Sequence, residues 1–418
     1  GHTGRMGSHS QCEFLFRGAT RRENAVNEIL GYRRPQGPPG IRNVLLAMYT
    51  VECSSFVALS IAAMDPRIHS MGFPGCYTNS YAARMMVALG SHPNVGAVLL
   101  VSLGCEGTDP YEVARQIRES GRRVEVLRIQ DIGGTQKAIV AGRKLATEML
   151  AQLDETPRCP LHARDLVIGT ECGGSDATSG IAANPAVGHA FDLFVDEGAT
   201  VIIEETLEAL GLSEIAAQRA ATPEIANAIR AAIQKAENFA ISAEQFSMAP
   251  GNRKGGLTTI EEKSMGAFAK SGSRPIQGVI QVGQQPPGNG LFVLDSVPDP
   301  SPFPFGYSNP NDSEGILTLI SCGAHIVIFT TGRGSVIGSV ISPVLKVCGN
   351  PVTYERMSGD MDVNAGRIIR GLATAEEIGR EIFELALDVA AGRETMAERL
   401  GHREYCIPYK YQGGCALV

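Results

Sequence analysis

Short apolar runs recur along the chain, and between them the apolar residues fall at helical spacing. Val44–Tyr49, Val95–Ser102, Val124–Ile129, Leu166–Gly169, Thr200–Glu204, Leu291–Asp295 and Ile326–Thr330 are short and rich in Val, Ile and Leu, so they predict strands. Ser55–Met64, Ser80–Leu89, Pro110–Glu119, Thr135–Leu153, Pro223–Ala236 and Ala375–Ala391 predict helices. Pro110 and Pro223 stand where a first-turn proline is tolerated, each behind a capping residue, Asp109 and Thr222. Strands apolar throughout are buried on both faces, as in parallel sheets covered by helices. The expected fold class is α/β: mainly parallel sheets flanked by helices, in two Rossmann-like domains.

Two breaks in composition organise that pattern. The polar, Pro-containing stretch Asp154–Leu161 separates a first α/β domain, 31–155, from a second, 160–418. Gln284–Gly290 and Pro298–Pro310, dense in Pro, Gly, Ser and Asn, read as surface connection or ligand-shaped loop and suggest a further division near 250–290. Residues 1–30 read as an appended purification sequence around Gly7–Ser10 followed by an N-terminal extension, and Gly1–Ser10 lacks the apolar stretch of a signal peptide.

Composition narrows the function. At 418 residues and 44.3 kDa, with 44% hydrophobic and 19% charged residues, the chain has the makings of a large packed globule. A net charge of -7, no Lys/Arg run and no Trp argue against nucleic acid as a partner. No run approaches the roughly 20 apolar residues of a membrane span. The 10 cysteines are scattered without short-spaced pairs, which suits reduced thiols in a cytoplasmic protein.

Candidate chemistry follows the strands. Thr50-Val-Glu52-Cys53-Ser-Ser55, Gly104-Cys105-Glu106-Gly107 and Thr170-Glu171-Cys172-Gly-Gly-Ser-Asp176 each set a thiol beside a carboxylate just past an apolar run. Ligands of parallel sheets bind beyond the carboxyl ends of the strands, so these loops are expected to surround one crevice. A fourth thiol, Cys76, lies in a Gly/Pro-rich loop seven residues after His69. A single Cys is most often a small buried hydrophobe; the repetition of the pattern is what points to a site. The spacings are those of neither a zinc ribbon nor a ferredoxin. Pro250–Thr259, including Asn252, Lys254 and Thr258, leads into a helix and is suited to present N–H groups to an anion. Arg333 and Ser335 lie in a Gly-rich loop after a strand, where a guanidinium can fork a carboxylate. Asp360-Met-Asp362-Val-Asn364 begins like a calcium loop, but its glycine is one place late and Gly371 stands where a bidentate Glu belongs. His69 is the histidine best supported as a general acid or base; His162, His189, His325 and His402 lack a supporting constellation, and His92 reads as a turn.

Taken in order, these stretches resemble the altronate and galactarate dehydratase family, including the large subunit of sulfolactate sulfo-lyase. The resemblance runs from Gly31-Tyr-Arg-Arg-Pro35 through His69…Gly75-Cys76, His92-Pro-Asn94, Gly104-Cys-Glu106 and Glu171-Cys-Gly-Gly-Ser-Asp176. It continues through Pro250-Gly-Asn252, Gly255-Gly-Leu-Thr-Thr-Ile260, Glu262-Lys-Ser264, Phe329-Thr-Thr-Gly-Arg-Gly-Ser335 and Tyr354-Glu-Arg-Met357 to Asn364-Ala-Gly366. The first cysteine loop departs from the family's usual Gly-Cys-Ala-Asn, and Asp295–Gly323 is longer than its counterpart. The resemblance implies a lyase dependent on Fe2+ or Mn2+ that removes water, or sulfite, from a small hydroxy acid. It also implies a small partner subunit of about a hundred residues and a homo-oligomer.

The reaction requires removal of a weakly acidic proton beside a carboxylate and departure of a β-substituent. On that reading His69, Glu171 and Asp176 are the acid–base residues, and Cys53, Cys76, Cys105 and Cys172 face the metal. Arg333, Ser335, Asn252, Lys254 and Thr258 bind substrate. The rival reading is a non-catalytic anion-binding subunit whose partner carries the chemistry.

Overall fold

The computed structural model describes residues 29–242, 244, 248–297, 311–404 and 407–408. Pro298–Pro310, singled out above for its irregular composition, lies outside the described residues, as does the extension before residue 29.

The strands are β1 (Ile29–Tyr32), β2 (Val44–Tyr49), β3 (Ile68–Gly72), β4 (Val95–Ser102), β5 (Arg123–Arg128), β6 (Arg158–Leu161) and β7 (Val167–Cys172). They continue with β8 (Thr200–Ile203), β9 (Ile276–Gln281), β10 (Gly290–Asp295), β11 (Ile326–Thr331), β12 (Val344–Cys348) and β13 (Val363–Asn364). A four-stranded sheet has the order β3-β2-β4-β5, a seven-stranded one the order β13-β12-β11-β7-β8-β10-β9, and every pairing in both is parallel. The expected α/β class is therefore the observed one. The stretch read as a link contributes β6, which pairs antiparallel with β1 in a two-stranded sheet. The region 250–290 holds short helices followed by β9, itself a strand of the large sheet, and other strands of that sheet lie on both sides of it.

Helices cover both faces of the small sheet. Glu52–Ala62 and Thr135–Asp154 bury Val57, Ile61, Ala146 and Met149 on one side. On the other, Ser80–Gly90 and Pro110–Glu119 bury Met85, Met86, Val113 and Ile117 in a core shared with Leu317, Val327 and Phe329 of the second unit. The two sheets thus join through one continuous apolar layer, which fixes their relative placement without a strand passing between them.

Polar groups fix the register of that junction. His92 donates from Nε2 to the Ala324 carbonyl at 3.1 Å and accepts from the Asn94 N–H at 3.0 Å. Asn94 in turn donates to the His325 carbonyl at 3.1 Å. His325 accepts from the Val167 N–H at 3.1 Å and donates to the Pro39 carbonyl at 3.1 Å. Each ring therefore needs one protonated and one bare nitrogen, so both are held neutral. Burial lowers the imidazole pKa of His325 to about 4, and burial, with His325 beside it, holds His92 well below the ordinary value.

The pH dependence of stability follows. Below the ordinary histidine value of about 6.5 the unfolded chain takes up a proton that native His325 refuses until about pH 4. Its contribution is whole above that window and lost as the pH falls through it, by up to about 3 kcal/mol. Denaturant unfolding from pH 7 to 4 should show this loss, and His325→Gln, weaker at every pH, should show a shallower slope. Equal slopes would contradict the assignment.

A candidate active site at the carboxyl ends of the large sheet

β7 ends in Glu171 and Cys172, and its neighbour β8 runs out into Glu204 and Glu205, with Glu208 in the short 3-10 turn that follows. A strand whose last residues leave the sheet projects them beyond its carboxyl edge, so adjacent strands bring these side chains together. The helices inserted before β9 add Lys263 and Lys270, and the helix Asp312–Ser321 adds Asp312 and Glu314 from the opposite side. Two glycines permit this approach. A Cβ at Gly173 would stand 1.9 Å from Asp312 Oδ2, and one at Gly315 would stand 2.4 Å from the Glu171 carboxyl.

Three donors at the centre suit a metal ion. Cys172 Sγ and single oxygens of Glu205 and Glu208 all lie within 4.8 Å of one another, the one such set among the described residues. The thiol donates to Glu208 Oε2 at 3.2 Å and meets Ser175 Oγ at 3.1 Å. Lys263 Nζ lies 2.7 Å from Glu208 Oε1, and Lys270, fully buried, is paired with Glu205. Glu171 Oε2 is buried with no partner.

Among the described residues the charges do not balance: Glu171, Glu204, Glu205, Glu208, Asp312 and Glu314 share this region with Lys263 and Lys270. Burial, then the charges of Glu204 and Glu205, push the Glu171 carboxyl well above the usual carboxylate range. Burial also raises Glu204, which accepts a hydrogen bond from Glu171. For Glu205, burial outweighs Lys270 and lifts the carboxyl to about 7. Burial and nearby Glu208 lift Asp312 to about 6. Burial also raises Glu208, but Lys263 and Lys270 outweigh it and hold the carboxyl below its ordinary value. Burial, reinforced by Glu205 and Glu208, raises the Cys172 thiol. Without another cation the cluster therefore retains protons. A divalent ion beside the Cys172, Glu205 and Glu208 donors is the alternative way to neutralise it, and this donor set fits one.

Beside the cluster lies an open cavity of about 280 Å³ lined by Cys172, Ser175, Asp176, Asn184, Glu208 and Lys263 among others. Two members of the donor set and one lysine thus face a space of small-molecule size.

The residues expected from sequence divide into groups. Glu171, Cys172 and Asp176 lie at this site. Asp176 is on the cavity wall, accepting from the Thr178 N–H at 2.9 Å, Thr178 Oγ1 at 2.6 Å and Asn350 Nδ2 at 2.9 Å. Asn252 braces the cavity loop, donating to the Ser175 carbonyl at 2.9 Å. Arg333 is exposed and donates to the Gly251 carbonyl, while Ser335 Oγ accepts from the Ile337 N–H at 3.3 Å. Thr258 is exposed and bonded to Glu262, and Lys254 is exposed. His69 lies in the second position of β3, not in a loop, with its ring nitrogens against the Val340 and Pro66 carbonyls. Its placement leaves it away from the carboxyl edge. Cys53, Cys76 and Cys105 sit at the carboxyl edge of the small sheet, so the four thiols expected around one crevice belong to two sheets. Sequence reasoning missed Glu205, Glu208, Lys263 and Lys270, although paired glutamates just past a strand neighbouring the Glu171 strand were a readable signal.

Fold and site together define an α/β enzyme with an acid–lysine centre at the carboxyl edge of a parallel sheet. Residues 163–412 match the C-terminal domain of D-galactarate/altronate dehydratase, and residues 31–154 match the second domain of D-galactarate dehydratase/altronate hydrolase. The chain belongs to this dehydratase family, and it is a lyase. Its relatives include the (2R)-sulfolactate sulfo-lyase subunit beta of Chromohalobacter salexigens, 33% identical over 399 residues, which are 92% of this chain and 97% of the relative. Altronate dehydratase of Bacillus subtilis is 31% identical over 396 residues, 90% of this chain and 76% of that enzyme. Galactarate dehydratase (L-threo-forming) of Escherichia coli is 33% identical over 321 residues, 74% of this chain and 59% of that enzyme.

The ion pair at the centre makes a stability prediction. In metal-free protein at pH 8, Lys270→Met should cost about 3 kcal/mol because it strands Glu205 in a buried position. Thermal melts should show the deficit shrinking toward pH 6, where Glu205 takes up a proton, and Glu205→Gln in the same chain should recover part of it. A pH-independent deficit, unrelieved by the second change, would contradict the pairing.

Proposed function

We propose that the chain eliminates water from a small sugar acid or hydroxy acid held in the cavity beside Cys172, Glu208 and Lys263, giving a 2-keto-3-deoxy-type product. The observation that carries this reading is the opening of the cavity onto the carboxylate–thiol–lysine cluster. Abstraction of the proton beside a carboxylate builds a second negative charge on that carboxylate. The Lys263 ammonium, at the cavity wall, meets that charge. On this reading Asp176, also on the wall and held by Thr178 and Asn350, takes the α-proton, while Glu171, pushed up by burial, keeps its own. Cys172, Glu205 and Glu208 would hold a divalent cation, Fe2+ or Mn2+, which supplies Lewis-acid stabilisation of the substrate oxygens when bound. Burial of the cluster in a low-dielectric site strengthens each of these interactions.

A second reading concerns the leaving group and the assembly. The match to a sulfo-lyase subunit over 97% of that relative supports sulfite as the group expelled and a small partner subunit beside this chain. A homo-oligomer of this chain and a small subunit of about a hundred residues are both part of the proposal.

The test is turnover of altronate, galactarate and sulfolactate by anaerobically prepared protein with ferrous or manganous ion, alone and with a co-expressed small partner of about a hundred residues. Keto-acid or sulfite release from one of them is expected, and no turnover of any under all these conditions would contradict the reading. Glu208→Gln, nearly isosteric, should lower kcat/KM at least about a hundredfold, roughly 2.7 kcal/mol of transition-state stabilisation, with the fold retained. Wild-type turnover by that variant would remove the cluster from the mechanism.

A further inference from the structure

Both oxygens of Glu208 are already engaged. Oε1 lies 2.7 Å from Lys263 Nζ, and Oε2 accepts from the Cys172 thiol at 3.2 Å. Yet Glu208 is also one of the three donors grouped for an ion. An ion taking this carboxylate sends the Cys172 thiol proton to solvent, because a coordinating cysteine is a thiolate. It also meets the Lys263 ammonium, a like charge on the same carboxylate, where little water is present to screen the repulsion. The ion neutralises the charge that held the lysine and repels the lysine itself. Ion and ammonium therefore compete for Glu208.

The two buried lysines differ in what else they can reach. Lys263 lines the cavity of about 280 Å³ and is the one cation among its described wall residues. Lys270 is buried against Glu205 and does not line that cavity. The backbone beneath Lys263 is fixed. Thr259 caps the helix Ile260–Phe268, accepting from the Glu262 N–H at 3.2 Å, and Asn184 Nδ2 donates to the Gly266 carbonyl at 2.9 Å. Gly266 and Gly180 meet without spare room, since a Cβ on either would stand 3.0 Å from the Cα of the other. Release of Lys263 is therefore a movement of its flexible four-carbon stem alone, and the space beside it is the cavity.

We propose that Lys263 exchanges partners: it neutralises Glu208 while no ion is bound, and it turns to the carboxylate of the bound acid once an ion takes Glu208. The ion then binds before the acid. Without it, the ammonium that would hold the acid is spent on Glu208. The two ligands also strengthen one another, because an acid that holds Lys263 away from Glu208 removes the ion's competitor, and such coupling is reciprocal. The exchange rests on the ion of the proposed function and adds to it an order of binding and a residue that enforces the order.

The experiment measures Mn2+ binding to the full chain at pH 8 by electron paramagnetic resonance, then glycolate binding by calorimetry with and without Mn2+. Glycolate has the carboxylate and the 2-hydroxyl but no β-carbon, so it is not turned over. Lys263→Met lacks the competing ammonium; it should bind Mn2+ about tenfold more tightly than wild type and, once loaded, hold glycolate about tenfold more weakly. Lys263→Arg should return both values toward wild type. A lysine that only supported the fold would lower both affinities together. Unmutated protein gives a check independent of folding: labelling of Lys263 by acetic anhydride should rise when Mn2+ is added, while buried Lys270 stays unlabelled. Equal or weaker Mn2+ binding by Lys263→Met, glycolate affinity equal to wild type, or labelling unmoved by Mn2+ would overturn the exchange and leave the ion in place. Wild-type protein that binds no Mn2+ would overturn the ion and the exchange together.

Discussion

A surplus, among the described residues, of carboxylates over ammonium groups at the carboxyl ends of β7 and β8 is the constraint on which the rest of this site depends. Charges of one sign are not retained in a desolvated region unless something neutralises them. Lys270, with almost no exposed surface, answers Glu205, and Lys263 answers Glu208. Burial pushes the Glu171 and Glu204 carboxyls above their ordinary range and lifts Asp312 to about 6. The absent side chains of Gly173 and Gly315 matter for the same reason, since each lets an acidic group close on the centre from the helix Asp312–Ser321 or from β7.

That arrangement needs a rigid support, and the parallel sheets supply it. The large sheet fixes Glu171 and Cys172 by the pairing of β7 with β11 and β8. The apolar layer containing Leu317 and Phe329 ties the helix Asp312–Ser321 to the small sheet. The neutral pair His92 and His325, with Asn94 between them, sets how the two sheets abut. Among the described residues no helix is long and apolar enough to cross a membrane.

Much of the fold was legible because the central strands announce themselves. Val44–Tyr49 and Val95–Ser102 are apolar throughout, and they are strands with those limits. β3 escaped notice because Ile-His-Ser-Met-Gly has neither alternation nor a β-branched run; its strand conformation comes from pairing with β2. β6 escaped because Arg-Cys-Pro-Leu reads as a linker, and an edge position tolerates its proline. At the site, Glu171, Cys172 and Asp176 were readable from a thiol, a carboxylate and glycines after a strand. Lys263 and Lys270 were not, because a lysine on a helix is ordinarily solvated, and only tertiary packing reveals that these two are buried.

The most direct measurement of the central claim is a crystal structure of protein soaked with Mn2+, with the ion located by its anomalous scattering. The account predicts a peak within coordination distance of Cys172 Sγ and the Glu205 and Glu208 carboxylates, with the Lys263 and Lys270 ammonium groups drawn away from those oxygens. No peak there, with both lysine pairs intact under saturating Mn2+, would contradict it.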